Sequence, residues 1–138
     1  MGYNEFGTLD DDGPTSKPGD GGIYSSVDDL LRWDQALYTS KLVPPTALRA
    51  AFSPGRVAEG TSTSGFGWNI TREGDEISVW YTGNQAGFRA FIERRLGQRL
   101  AVIMLTNIGN TKRVDINNAI VDILAGKPYT MRDSRSPS

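Results

Sequence analysis

Two hydrophobic periods divide the chain. Between Ser26 and Tyr38, the run SVDDLLRWDQALY sets Val27, Leu30, Leu31, Trp33 and Leu37 at near-helical spacing, the pattern of one apolar stripe on an α-helix. Ser26 stands three residues ahead of Asp29, a capping-box-like start, so a helix is expected from Val27 to about Tyr38. The following run, LVPPTALRAAF, puts Pro45 where a first helical turn tolerates proline, and SPG at 53–55 ends a short second helix. Residues 56–65, RVAEGTSTSG, read as a polar loop.

From Phe66 the period becomes two, the signature of strands. GWNIT and ISVWYT flank REGDE as one hairpin; GFRAFIER and RLAVIMLTN flank RLGQ as a second. Between the hairpins, SVWYTGNQAGFRAF at 78–91 reads as a strand, a Thr82-Gly83 corner and a second strand leaving it. Leu100 to Leu105 is apolar without a break, which predicts a strand covered on both faces and set inside the sheet rather than at its rim. RVDINNAIVDILAGKP closes as an amphipathic helix carrying Val114, Ile116, Ile120, Ile123 and Leu124, with Gly126 and Pro128 as stop signals. Residues 1–22 read as coil continuing from something upstream, and the tail 129–138 as disordered. The expectation is one α+β domain over 23–128. Residues 23–55 form its helical portion, and 66–128 an antiparallel sheet of three to four strands with a C-terminal helix on one face.

Composition removes several functions. The 138 residues are 38% apolar and 22% charged, which fits one ordinary soluble domain. With 15 Lys and Arg against 16 Asp and Glu, no field favours nucleic acid or anionic lipid. No run approaches the ~20 apolar residues that span a bilayer, and the start MGYNEFGTLDDDG has no export-signal pattern. Neither nucleic acid nor membrane is an expected partner. The chain has no Cys and no His, which removes thiol chemistry, disulfides and the commonest general base and metal ligand. Absent Cys leaves the compartment open. Asp10, Asp11 and Asp12 lack the spaced oxygen ligands of a calcium loop, and no Gly-rich loop leads into a helix as a phosphate site requires. Neither a metal nor an organic cofactor is expected. Trp33, Trp68 and Trp80 read as packing residues.

Thr82-Gly83 alone reads as an ordinary turn. Gly87-Phe88 four residues on, Thr106-Asn107 ahead of a helix, and GDGGIYSSVDDLLRW some fifty residues earlier change that weighting. Together they resemble the C-terminal portion of the serine β-lactamase and penicillin-binding protein-like family, closest to class C β-lactamases and their esterase and D-aminopeptidase relatives. The resemblance runs from about Gly19 to Leu124 and implies a partial β-lactamase/transpeptidase-like fold. In that family a Lys-Thr-Gly or His-Thr-Gly motif sits on the strand bordering the active site, and Tyr81, Thr82 and Gly83 stand at those positions here. By resemblance, the Asn84 backbone N–H is an oxyanion donor. The Thr82 hydroxyl, expected on the same side as Phe88, bonds a substrate carboxylate or polar group. Tyr81 departs from the pattern, because a phenol lacks the positive charge that Lys supplies at pH 7. Arg113, with Val114 and Asp115, resembles the start of the C-terminal helix, where an Arg helps bind substrate carboxylate; a solvated surface Arg is the other reading.

The family's nucleophile belongs to a Ser-x-x-Lys motif and its second base group to a Tyr-x-Asn motif, and neither pattern occurs in the 138 residues. The expected function is therefore the C-terminal part of a serine hydrolase, cleaving an amide or ester through a Ser acyl-enzyme without a cofactor, and inactive alone. A non-catalytic binding or assembly module for a peptide or cell-wall fragment is the alternative, and an excised domain with no function of its own a third. The expected partners are an N-terminal half of the same domain, or a second copy in a homodimer through strand 100–106. The resemblance implies a bacterial periplasmic or extracellular setting.

Overall fold

The computed structural model describes residues 1–4, 6–9, 21–53, 56–57 and 62–129. The acidic run 10–12, the stop signal Pro54-Gly55 and most of the expected tail, 130–138, lie outside the described residues.

Helix α1 spans Val27–Ala36. Its start is the one expected: the Ser26 hydroxyl accepts a hydrogen bond from the Asp29 N–H at 3.1 Å, and Asp28 and Asp29 place negative charge in the first turn, where the helix dipole favours it. It ends before Tyr38 because the Thr39 hydroxyl donates to the Ala36 carbonyl at 2.7 Å, tightening the last turn. The expected apolar stripe is not what it buries. Val27, Leu31 and Trp33 are exposed, whereas Asp34 is fully enclosed and Leu37 lies in the core. Helix α2, Pro45–Ala51, carries proline at its first position as expected.

The sheet is antiparallel throughout, and its strands lie in chain order. The strands are β1 Arg56–Val57, β2 Ser62–Ser64, β3 Asn69–Glu73, β4 Glu76–Gln85, β5 Phe88–Arg95 and β6 Leu100–Thr106. The last four are the two expected hairpins. The two short strands fall where a polar loop was expected, because β2 pairs along β3 (Ser62↔Thr71, Ser64↔Asn69) by backbone bonds that need no apolar alternation. Helix α3, Arg113–Leu124, closes the chain with Gly126 in the left-handed conformation beyond its end.

Register assigns the faces. Trp80 stands opposite Glu93 and Thr82 opposite Phe91, while Glu93 stands opposite Val102 and Phe91 opposite Met104. These side chains share the face that α3 covers, where the Asn117 side-chain amide bonds the Glu93 carboxylate. Val79, Tyr81, Arg94 and Ile103 share the other face, toward α1. Val79, Phe91, Val102, Ile70 and Leu37 form the apolar core.

The bond between helix and sheet is ionic. Arg94 Nε donates to Asp34 Oδ1 at 2.5 Å, with both side chains 1% exposed. The guanidinium carbon lies 4.7 Å from the Tyr38 ring centre and 5.4 Å from that of Phe52, within cation–π range. Beside this pair, Trp33 stacks on Trp68 with ring centres 6.2 Å apart, in keeping with a packing role.

Three further expectations change. Thr82-Gly83 is not a corner: β4 runs straight through it to Gln85, and the chain reverses at Ala86 and Gly87, both at positive φ, a two-residue hairpin turn. Only glycine fits at 87, since a Cβ there would also stand 2.5 Å from the Tyr3 nitrogen. Second, β6 is the edge strand among the described residues; its apolar run reflects cover by α1 on one face and core packing of Val102 on the other, not a second neighbour. Third, residues 2–4 and 6–9 are not free coil. The Tyr3 N–H donates to Asn107 O and the Gly109 N–H to Tyr3 O, both at 2.8 Å, so the first residues dock just past the end of β6.

Removing Asp34 leaves the Arg94 charge buried and unpaired. Asp34→Ala is expected to destabilise the fold by roughly 3–5 kcal/mol, read from urea unfolding. The double variant Asp34→Leu/Arg94→Met should lose less than that single one, because the desolvated charge is gone.

Candidate functional site

β4 outruns its neighbour. The β3–β4 register stops at Asn69↔Trp80, whereas the β4–β5 register continues to Gln85↔Phe88. Residues 81–85 of β4 therefore have a strand on one side only among the described residues. In a two-residue hairpin, the residues flanking the turn form the hydrogen-bonded closing pair, and bonded and non-bonded pairs alternate away from it. Gln85↔Phe88 is that closing pair, so Asn84↔Arg89 is a non-bonded pair. The Asn84 N–H, and by the same alternation that of Thr82, points away from β5 toward the side β3 has vacated. The strand holds both donors rigid.

The side chains divide between the two faces. Tyr81 lies on the α1 face and is 54% exposed. Thr82 is half-buried on the opposite face, across from Phe91. Phe88, paired with Gln85, lies on the α1 face. The expectation that Thr82 shares a side with Phe88 is thus overturned: with a side-chain period of two, residues 82 and 85 have opposite parity, and Phe88 takes the parity of its partner.

Arg113 is brought to this stretch, but it is not a solvated surface residue. Its Nη1 donates to the Gly83 and Ala90 carbonyls at 2.8 and 2.9 Å, and its Nη2 to Asn84 Oδ1 at 2.8 Å. A planar fork suits three acceptors held in this arrangement. Arg113 thereby ties the start of α3 across both strands behind residues 83 and 84. Burial, and then the nearby Arg89 charge, lower its pKa from the ordinary guanidinium value. Arg89 is held in turn, its Nε donating to the Gly109 carbonyl at 2.9 Å.

Tyr81, Thr82, Gly83, Asn84 and Arg113 therefore converge on one sheet edge, although 30 residues separate Arg113 from Gly83. Periodicity misses the Arg94–Asp34 pair that anchors the sheet behind them. Its signals are faint: an acid on the apolar side of α1, and an Arg at an inward position of an alternating strand. Among the described residues no group of three or more Asp or Glu is placed to hold a metal ion, and no helix is long and apolar enough to cross a membrane.

A model of the Beta-lactamase family matches residues 2–127. Penicillin-binding protein 4* of Bacillus subtilis (strain 168) is 34% identical over 117 residues, which is 80% of this chain and 26% of that protein. The chain thus spans about a quarter of the length of the curated relative it matches.

Arg113→Ala is expected to cost about 1–2 kcal/mol, the loss of charge-assisted bonds to backbone carbonyls. Amide exchange should accelerate at residues 83–85 and 89–90 and stay unchanged in the β3–β4 turn. Arg113→Lys should recover only part, since an ammonium lacks the planar fork.

Proposed function

The chain belongs to the beta-lactamase family, and from that premise we propose that β4 forms one wall of a serine hydrolase site that cleaves an amide or ester through a Ser acyl-enzyme. The Ser and Lys come from a segment outside these 138 residues, which hold no Ser-x-x-Lys. The observation that carries this reading is the direction of the Asn84 N–H, set by the register and unclaimed by any strand among the described residues.

The chemistry follows from that placement. The Ser oxygen attacks the carbonyl carbon while its proton passes to the basic partner, and charge gathers on the former carbonyl oxygen. The Asn84 N–H meets that charge without reorganising, a contribution of roughly 3–4 kcal/mol to barrier lowering. Collapse expels the amine or alcohol, and water then cleaves the acyl ester. Thr82 and Gly83 present backbone along the substrate, Tyr81 contributes a neutral ring on the α1 face, and Arg113 holds the strand from behind. No cofactor enters the scheme.

Exposed apolar side chains support a missing half. Ile23, Tyr24, Val27, Leu31 and Phe66 lie exposed on or near the α1 side, a larger apolar display than a lone domain of this size usually keeps. The open β6 edge is proposed to receive a strand of that half, or of a second copy in its absence. A second reading, a non-catalytic module holding a peptide or cell-wall fragment along residues 81–84, draws on the neutral Tyr81 at a position where the resemblance leads one to expect a cation.

Alone, the chain should turn over neither nitrocefin nor p-nitrophenyl esters above buffer. Mixed with a segment that carries a Ser-x-x-Lys motif, it should hydrolyse one of them. In that reconstituted form Asn84→Pro, which deletes the N–H, should lower kcat about 100–1000-fold, whereas Asn84→Ala, which keeps it, should not. Binding without turnover in the mixture would favour the second reading.

Sedimentation at high micromolar concentration tests the β6 edge. The isolated chain is expected to self-associate, and Leu105→Lys, a charge placed at a half-exposed edge position, to weaken that association. A monomer with rapidly exchanging amides over 100–106 would mean that the edge stays open.

A further inference from the structure

The two faces of the β4–β5 hairpin beyond Trp80 differ in charge. Register and parity put Asn84 and Arg89 on the α3 face, with Arg113 bonded to Asn84. Both guanidiniums there are held by backbone carbonyls, and that of Arg113 by the Asn84 amide as well. On the α1 face the same stretch holds three facing pairs: Tyr81 with Ile92, Gly83 with Ala90, and Gln85 with Phe88. None of these six residues is charged.

The middle pair leaves a depression. Gly83 and Ala90 raise only one methyl group above the sheet, and Leu105, paired with Ala90 and itself exposed, bounds the far side. Tyr81 and Phe88, both exposed, stand at the two ends, four strand positions or roughly 13 Å apart. Gly2 backs the Phe88 ring so closely that a Cβ there would lie 2.9 Å from two ring carbons. The remaining side is the vacant β4 edge, toward which the Thr82 and Asn84 N–H groups point. Gly83 keeps the floor low without a local reason for being glycine. It lies within a strand and outside the left-handed region, and a Cβ built on it would meet only the Ala90 Cβ, at an ordinary 3.4 Å. A glycine inside a strand weakens it and marks a place where something approaches the backbone closely.

We propose that this depression takes an uncharged aromatic group on the acyl side of the substrate, lying over Gly83 and Ala90 between the Tyr81 and Phe88 rings, with its carbonyl at the β4 edge beside the Asn84 N–H. The inference rests on the acyl-transfer reading and narrows its substrate class to esters or amides of aryl-substituted acids. Ring faces and methyl groups favour a planar apolar body. A second carboxylate on the acyl group is disfavoured, because on this face it would lose water without gaining a cation.

The test is a backbone-amide shift titration of the isotope-labelled 138-residue chain with N-methyl-2-phenylacetamide, a neutral aryl amide. N-Methylacetamide, which lacks the ring, and phenylacetate, which carries a charge, are the controls. Saturable shifts centred on residues 81–85, 88–92 and 105 are expected, with both controls at least about tenfold weaker. Gly83→Ala should weaken the aryl amide about tenfold and leave the thermal midpoint equal or higher, because alanine fits the strand without strain. Tyr81→Ala should weaken it several-fold while Tyr81→Phe retains it, since the ring and not the hydroxyl forms the wall. Equal binding of aryl amide and phenylacetate would overturn the proposal. Undiminished binding in Gly83→Ala, shifts centred elsewhere, or no saturation by about 10 mM would do so as well. In the mixture with the Ser-x-x-Lys segment, p-nitrophenyl phenylacetate should exceed p-nitrophenyl hemisuccinate in kcat/KM by about tenfold, and Gly83→Ala should abolish that preference. Turnover without the preference would sink the aryl subsite and leave acyl transfer standing. Aryl-amide binding without turnover of any ester would sink acyl transfer and leave a site of binding alone.

Discussion

The Asp34–Arg94 ion pair is the constraint on which the remaining structure turns. It crosses from the last turn of α1 to β5, the strand beside β6, and is sealed from water at both ends. Two charges at such depth are tolerable only when each is matched and further bonded, so α1 has little freedom to slide or rotate over the strands. Tyr38, just past α1, and Phe52, at the end of α2, complete the seal, and the Trp33–Trp68 stack fixes the same helix against the chain leading into β3. Val27, Leu31 and Trp33 of α1 remain exposed, while Leu37 at its C-cap enters the core.

A second constraint acts at the opposite end of the sheet. β3 begins only at Asn69, opposite Trp80, while β4 continues to Gln85, and this difference leaves residues 81–85 with one open side among the described residues. Arg113 makes the open segment stiff by bonding both hairpin strands from behind. The tight turn at Ala86 and Gly87 is backed in turn by Gly2 and Tyr3, which lie within contact of its backbone. A site of this construction depends on backbone geometry more than on side-chain chemistry, in accord with a chain that has neither Cys nor His.

β5 carries the ion pair on one face and, along its length, pairs with the β4 segment whose other side is open. Arg94 faces α1 while Glu93 and Arg95 face α3, where the Glu93 carboxylate takes the Asn117 amide and lies 3.3 Å from Arg95 Nε. One strand thus anchors helices on both faces through charged groups in successive positions. Apolar burial alone is thin here: the core is a handful of residues around Val79. The polar contacts set the orientation of the helices, and Val27 and Leu31 of α1 stay exposed.

Local signals in the sequence determined the elements. Ser26 and Asp29 set the start of α1, Pro45 that of α2, the run REGDE the β3–β4 reversal, and period-two alternation the four long strands, because caps, turns and periodicity act through residues a few positions apart. The stretch Tyr81 to Asn84, with Arg113, was also marked in the sequence, through its resemblance to a known family. Tertiary structure alone decided how those pieces meet. Thr82-Gly83 proved to be mid-strand because the turn residues with positive φ lie three positions on, and Thr82 parted from Phe88 because register sets parity across the hairpin. β6 came to the edge, its apolar run covered by a helix instead of a strand, which composition cannot distinguish. Asp34 and Arg94 stand 60 residues apart, and no local pattern encodes a match between a carboxylate on one helix and a guanidinium on a distant strand. That pairing exists only once both are withdrawn from water together.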